Sequence, residues 1–390
     1  MTELLGIKVA RVATTTFSTL TQLCPQLEAI HNAGCEITII STKDELSTSF
    51  SRLDFVKFKP IMIRREISLL IDLISLFRLS YFFVTNKFNI VHSITPKAGL
   101  LCAIAAKLAC VPVCLHTFTG QPWVTKRGFK RTLLQFCDRV IGRLNTCCYA
   151  DSISQRDFLI ENNICSPDKI KVLGSGSLAG IDLARFSQDN FSCEEKSTLR
   201  STLGLNEKTN IILFVGRITE EKGVYELISA FKNINHIENK ALLVVGDFEN
   251  QIEESIRSHA KSLCGEKIIF TGFTHKPEQY IAIADVLCLP SYREGFGTVV
   301  IEAAAMGVPT VGTRIYGLSD AIIDGVTGIL VEPKQVEKLT GALISILDDH
   351  DLRNKLSENA KYRAQKEFDS RQFSRLVVEE YRRFIAANND

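Results

Sequence analysis

A chain of 390 residues is too long for one ordinary hydrophobic core and predicts two domains of similar size. Its 46 basic and 44 acidic residues leave a net charge of +2, which argues against a nucleic-acid coat or a broadly acidic partner and makes any basic patch a local matter. The 12 cysteines are scattered through apolar segments such as LLCAIAAKLAC without CxxC spacing, and no histidine stands near Cys147 and Cys148 at ligand spacing. Reduced, mostly buried thiols are therefore expected, and a metal site is not. With no export signal read in Met1 to Ala10, the expected compartment is the cytoplasm.

From Ile7 to about Asn163, strand-like runs (IKVARVAT, CEITIIST, NIVHSIT, VPVCLHTFT, CCYADSIS) alternate with helix-like stretches, a βα succession. Two stretches in this half are apolar enough to weigh as membrane spans: ISLLIDLISLFRLSYFFV from Ile67 and AGLLCAIAAKLACVPVCL from Ala98. Asp72 and Arg78 interrupt the first, Lys107 and Pro112 the second, and a span needs roughly 20 mostly uncharged residues. Both are read as amphipathic or core helices. GSGSLAGIDLARFSQDNFS, from Gly174, reads as a linker. Its glycines at 174, 176 and 180 miss the GxGxxG spacing of a dinucleotide loop, and no sustained helical period follows. A second βα succession runs through NIILFVGR, ALLVVGD, KIIFTGF, DVLCLPS and GVPTVGT, predicting a second parallel sheet with helices on both faces. The last stretch opens with a cap at Asp369 or Ser370 and sets Phe373, Leu376, Val377 and Tyr381 along one helical face.

Two places in the second succession carry chemistry. In REGFGTVVIEAAAMG, from Arg293, a strand closed by Pro290 is followed by a glycine turn and a helix over Val299 to Met306. In a parallel sheet this is where ligands sit, and the free N–H groups of Gly295, Phe296, Gly297 and Thr298 suit a phosphate. Glu294 lies in the turn, where it can reach a sugar. Glu302 lies one turn into the helix, where a carboxylate accepting two hydroxyl hydrogen bonds suits a ribose. Negative charge at a helix start also accounts for Glu294 without any ligand. In LFVGRITEEKG, Gly216 allows a tight exit from the strand, and Arg217 and Lys222 can hold a diphosphate and stabilise it as it departs. A solvated helix start in which Glu220 and Glu221 pair with both cations fits the same residues.

Together, PSYREGFGTVVIEAAAMGVPTVGT with its Glu294-x7-Glu302 pair, the upstream VGRITEEKG and the downstream DGVTGILVEP resemble glycosyltransferase family 4, over nearly the whole chain. The resemblance implies an α/β protein of GT-B fold, with two Rossmann-like domains whose parallel sheets face each other across a cleft. Residues 1–184 would bind the acceptor and 185–368 the nucleotide sugar, with 369–390 a closing helix that crosses back to the N-terminal domain. It further implies Arg217 and Lys222 on the diphosphate, Glu302 on the ribose, Glu294 near the transferred sugar and Phe273 near the nucleobase. His116, in LHTFTG, matches the place of an active-site histidine in related transferases. One departure stands out. Family members often carry a glycine-rich loop after the first strand, whereas VATTTFSTLTQL has none, leaving the hydroxyls of Thr14 to Thr16 as candidate substitutes.

The implied reaction is retaining, metal-independent transfer of a hexosyl or N-acetylhexosaminyl group from a nucleoside diphosphate sugar, expected to be a UDP-sugar. No cofactor is expected beyond that donor. The expected acceptor is a polyprenyl-diphosphate-linked glycan of cell-surface polysaccharide synthesis, met at the cytoplasmic face of the inner membrane; nucleic acid is not expected as a partner. WVTKRGFKRTLLQF, from Trp123 to Phe136, has the composition of a basic amphipathic segment suited to anionic lipid, and equally that of an exposed basic helix. The alternatives are a nucleotide-sugar epimerase of GT-B-like fold and a non-catalytic nucleotide-sugar-binding protein.

Overall fold

A computed structural model describes residues 4–249, 252–264 and 267–389. The chain forms two compact units: Met1–Gly180 together with Ser370–Asp390, and Ile181–Asp369.

The first unit is built on a seven-stranded parallel sheet. Its strands are β1 (Lys8–Val12), β2 (Glu36–Ser41), β3 (Val56–Pro60), β4 (Ile90–Ile94), β5 (Val113–Phe118), β6 (Cys147–Ala150) and β7 (Ile170–Val172), in the order β3-β2-β1-β4-β5-β6-β7. Strands β4, β5 and β6 are buried at every position, as expected where helices cover both faces of a parallel sheet. The sequence reading misses β3, whose VKFKP carries two lysines and no apolar run because it is an edge strand. The crossovers β3→β4, β4→β5 and β5→β6 all advance the same way, so right-handedness puts their helices on one face. These are Leu69–Asn86, Pro96–Leu108 and Gly128–Leu144, packed side by side in that order.

On the opposite face Cys24–Asn32 packs against the last helix, Ser370–Asn389. That helix buries Phe373, Val377 and Tyr381 and leaves Leu376 half-buried. A polar cluster fastens it to the sheet. The buried Arg11 guanidinium donates to Tyr381 Oη (2.9 Å) and Gln26 Oε1 (3.3 Å) and lies 2.6 Å from His92 Nδ1. Burial, and then the Arg11 charge, hold the His92 pKa well below its ordinary value, so the neutral ring can accept from Arg11. His92 is thus part of the core's polar bonding.

The second unit has a six-stranded parallel sheet in the order β10-β9-β8-β11-β12-β13. Its strands are β8 (Asn210–Val215), β9 (Lys240–Val245), β10 (Ile268–Gly272), β11 (Val286–Leu289), β12 (Thr310–Thr313) and β13 (Gly328–Val331). All five predicted strands appear, and β13 lies inside the DGVTGILVEP motif. The eleven cysteines whose side chains the structure describes are free thiols.

Candidate active site

In the second sheet the chain runs outward from β8 through β9 to β10 and then returns to place β11 on the other side of β8. Between the carboxyl ends of β8 and β11 the connections diverge to opposite sides, which opens a crevice there. The loops after these two strands carry most of the residues read from the sequence.

After β8, Gly216 has φ of +152°, and its carbonyl lies only 2.0 Å from where a Cβ on Gly246 would sit, so the ends of β8 and β9 meet backbone to backbone. Arg217 follows and pairs with Glu249 at 2.5 Å. A single 3-10 turn, Glu220–Lys222, then ends at Gly223 in the left-handed conformation, φ +69°. A Cβ there would fall 2.1 Å from the carbonyl oxygen of Pro290, so the β8 loop is pressed against the β11 turn. Tyr292 N–H donates to the Glu221 carbonyl (2.8 Å), and Arg293 pairs with the Glu221 carboxylate (2.7 Å).

This approach brings Lys222 onto Glu294, and the two form an ion pair with little solvent access at either side chain. Ser291 Oγ donates to the same carboxylate (2.9 Å). The alternative in which Glu220 and Glu221 pair with both cations is not what is found. Glu221 serves Arg293, while Arg217 and Lys222 take Glu249 and Glu294. The turn from Glu294 to Gly297 rests on Gly317, where a Cβ would meet the Gly295 carbonyl at 2.6 Å. It enters the helix Thr298–Ala305 through Gly297 at φ +85°. Among the described residues, none of the N–H groups from Gly295 to Thr298 donates to a protein acceptor. They remain available to an anion. The Phe296 side chain points the other way, buried against Phe368 at 5.3 Å, so only its backbone can serve the pocket.

Glu302 is half-buried on the same helix, and burial raises its pKa to about 7, opposed by the charge of Arg185 and reinforced by that of Glu278. Arg185 and Glu278 pair with each other at 2.7 Å. Phe273 is half exposed after β10; its N–H donates to Asp247 (3.1 Å) and its ring stands edge-on to His275. Sequence reasoning missed Gly246, Asp247, Glu249, Ser291, Arg185 and Glu278. The VVGD at the end of β9 was a visible signal, a glycine and an acid at another strand's carboxyl end.

In the first unit, His116 does not lie at a strand end. It is the fourth of six residues in β5, 1% exposed, with its ring in a notch under Gly99 where a Cβ would sit 2.4 Å away. Nδ1 is 2.9 Å from Ser93 Oγ, and burial lowers its pKa to about 3, so the ring is neutral. Its Nε2 is buried and has no hydrogen-bond partner among the described residues. The carboxyl end of β5 carries Thr119, Gly120 and Gln121 instead, with Gln155 Nε2 donating to Gln121 Oε1 (3.3 Å).

The hydroxyls read as substitutes for a glycine-rich loop are partly committed: Thr14 Oγ1 lies 2.6 Å from Thr95 Oγ1, and Thr16 bonds to Asp44. Thr15 is exposed. Trp123, placed by composition on a lipid-facing segment, is fully buried and donates to Asp138 (2.7 Å). Phe129 and Phe136, from the same segment, are exposed.

Comparison with known proteins gives the geometry its context. Residues 195–363 match the family described as glycosyl transferases group 1, and residues 21–176 match the glycosyl transferase 4-like domain. The capsular polysaccharide biosynthesis glycosyltransferase CapM of Staphylococcus aureus is 32% identical over 349 residues, 88% of this chain and 89% of the relative. The UDP-Gal:alpha-D-GlcNAc-diphosphoundecaprenol alpha-1,3-galactosyltransferase of Escherichia coli is 25% identical over 340 residues, 86% of each chain. Among solved structures, Anabaena Alr3699/HepE in complex with UDP and glucose superposes with a TM-score of 0.81 at 18% identity, covering 96% of this chain and 99% of that one. The architecture is that of GT-B glycosyltransferases.

Proposed function

This chain belongs to the group 1, or family 4, glycosyltransferases, and from that premise we propose that it transfers a hexosyl or N-acetylhexosaminyl group from a UDP-sugar to a polyprenyl-diphosphate-linked glycan, with retention and without a metal ion. The second unit takes the donor and the first the acceptor, at the cytoplasmic face of a membrane. The observation that best supports this reading is the convergence of Lys222, Glu294 and four undonated N–H groups at one switch point.

In the proposed reaction the diphosphate lies on the N–H groups of Gly295 to Thr298, with Lys222 and Arg217 on its oxygens. As the bond from the anomeric carbon to the diphosphate breaks, charge grows on the departing oxygen, and fixed dipoles and cations stabilise it without reorganising. The acceptor hydroxyl attacks the anomeric carbon from the same face, and its proton passes to the leaving phosphate. Glu302 accepts the ribose hydroxyls and Glu294 orients the transferred sugar. Phe273 lies at the nucleobase end. Each cation must exchange its carboxylate partner for phosphate, which keeps both charges compensated before the donor arrives.

The relatives that extend over nearly nine-tenths of this chain are transferases by name, which supports transfer over epimerisation or passive binding. The test is to incubate the protein with UDP-sugars and an undecaprenyl-diphosphate-linked acceptor in excess EDTA and to read the product by NMR. The expected product keeps the donor's anomeric configuration. An inverted product, a requirement for metal, or free sugar isomer without acceptor would each overturn its part of the reading.

A further inference from the structure

The helix Leu69–Asn86 is apolar on two opposite faces. At about 100° per residue, its inward residues Ser75, Leu79 and Phe83 share one side. On the other side Leu69, Leu70, Leu73, Phe77, Tyr81 and Val84 fall within an arc of about 120°, and they are between 50% and 83% exposed. A contiguous row of large exposed apolar side chains of this length is uncommon on a soluble monomer's surface and marks a contact. The helix is long and apolar enough to cross a membrane by length and composition, with a mean hydropathy of 1.4. Its inward face argues against a crossing. Leu79 and Phe83 sit in the unit's core, Ser75 Oγ donates to the Met62 carbonyl outside the helix, and Asp72 pairs with Lys97 (2.6 Å). A helix bound to protein along one side and apolar along the other lies in the plane of an interface.

Charge identifies what the interface is. Residues 57–144, which contain all three helices of this face, carry 14 lysines and arginines against three acidic residues, although the whole chain is only +2. Lys126, Arg127, Lys130 and Arg131 are all exposed at the start of the third helix, beside Phe129, which is 79% exposed. Helices that follow parallel strands begin at the strands' carboxyl ends, so Leu69, Leu70 and Phe129 share the end of the sheet at which β1 and β4 diverge.

We propose that this face, the outer side of Leu69–Asn86 together with the start of Gly128–Leu144, is a docking surface for an anionic lipid bilayer. The apolar row enters the headgroup boundary and the cations meet lipid phosphates. This deepens the membrane contact proposed above and rests on that reading for its purpose, while its apolar contact moves from Trp123, which is buried, to the helix Leu69–Asn86.

The test is co-sedimentation with vesicles of phosphatidylglycerol and phosphatidylcholine, against phosphatidylcholine alone, with no donor or acceptor present. Its outcome is therefore independent of whether transfer is observed. The protein is expected to sediment with the anionic vesicles and at least about tenfold less with neutral ones. The double variant Leu73→Gln/Phe77→Gln is expected to lose at least about tenfold in partitioning, with UDP affinity unchanged as the check on folding. Lys126→Glu/Arg127→Glu should weaken binding at low salt and make little difference at high salt. Wild-type partitioning by the Leu73→Gln/Phe77→Gln variant would overturn the proposal. So would a concentration-dependent dimer that the same variant makes monomeric while vesicle binding stays absent, since the face would then pair two copies of the chain.

Discussion

Replacing Lys222 with alanine is expected to lower the turnover number by about 10²–10³-fold, with a much smaller change in KM for the UDP-sugar. The asymmetry follows from when the charge appears. An ammonium that meets a diphosphate in both ground and transition states contributes to binding, but the oxygen that parts from the anomeric carbon gains its charge only as the bond breaks. Arg217 does not make good the loss, since it already lies on the diphosphate in the proposed complex and its side chain, 46% exposed against 17% for Lys222, is the more screened by solvent. The deletion also leaves Glu294 without its cation in a poorly solvated turn. A cycle of Lys222→Ala, Glu294→Gln and the double variant separates the two effects, because Glu294→Gln alone reads what the carboxylate contributes to the sugar and the double variant, free of the stranded charge, should still be slower than it. Steady-state kinetics with saturating acceptor reads the result, and an unchanged turnover number would remove Lys222 from the leaving-group role.

Gly223→Ala is expected to destabilise the second unit by roughly 2–4 kcal/mol and to reduce turnover together with it. The residue is left-handed, at φ +69°, which costs an L-residue about 1 kcal/mol or more by itself. The larger part is contact: a methyl group 2.1 Å from the Pro290 carbonyl overlaps with backbone, which has no rotamer by which to yield. The β8 loop and β11 turn must then separate, and with them Lys222 and Glu294. Urea unfolding followed by circular dichroism checks the stability term. Wild-type stability and turnover in this variant would show that the close approach of the two loops is not needed.

The fold was legible because its signals are local. Apolar runs ending in glycine or proline, repeated at βα spacing, announced eleven of the 13 strands, the short KIKVL run of β7 among them, and what escaped were weakly patterned pieces: β3, with lysines on an edge, and β13, inside a turn-rich motif. The candidate site was legible for the residues that lie within a motif, Arg217, Lys222, Glu294 and Glu302. The partners of those residues were not. Glu249 reaches Arg217 from the loop after β9, and Arg185 and Glu278 bear on Glu302 from two other segments, so only the folded chain brings them together. The depth of His116 in its strand escaped for a related reason. LHTFTG does not reveal where the strand stops, and two further strand residues put His116 under a helix. Trp123 misled in the opposite direction: amphipathic composition does not distinguish an indole that faces lipid from one that donates to a buried Asp138.

The central claim is that a UDP moiety binds at the β8/β11 switch point with its ribose on Glu302, and titration calorimetry of UDP into the wild-type protein and Glu302→Gln at several pH values tests it most directly. Ribose hydroxyls donate to the ionised carboxylate, and the Glu302 pKa lies at about 7, so the wild-type advantage should be full at pH 8 and shrink as pH falls through 7 and below. The variant carries UDP's own titration but not that of Glu302, which makes the difference between the two proteins the quantity to read. An advantage of about tenfold at pH 8 that fades by pH 6 is the predicted result. Equal affinities at every pH, or no binding of UDP to either protein, would contradict the assignment of this crevice to the donor nucleotide.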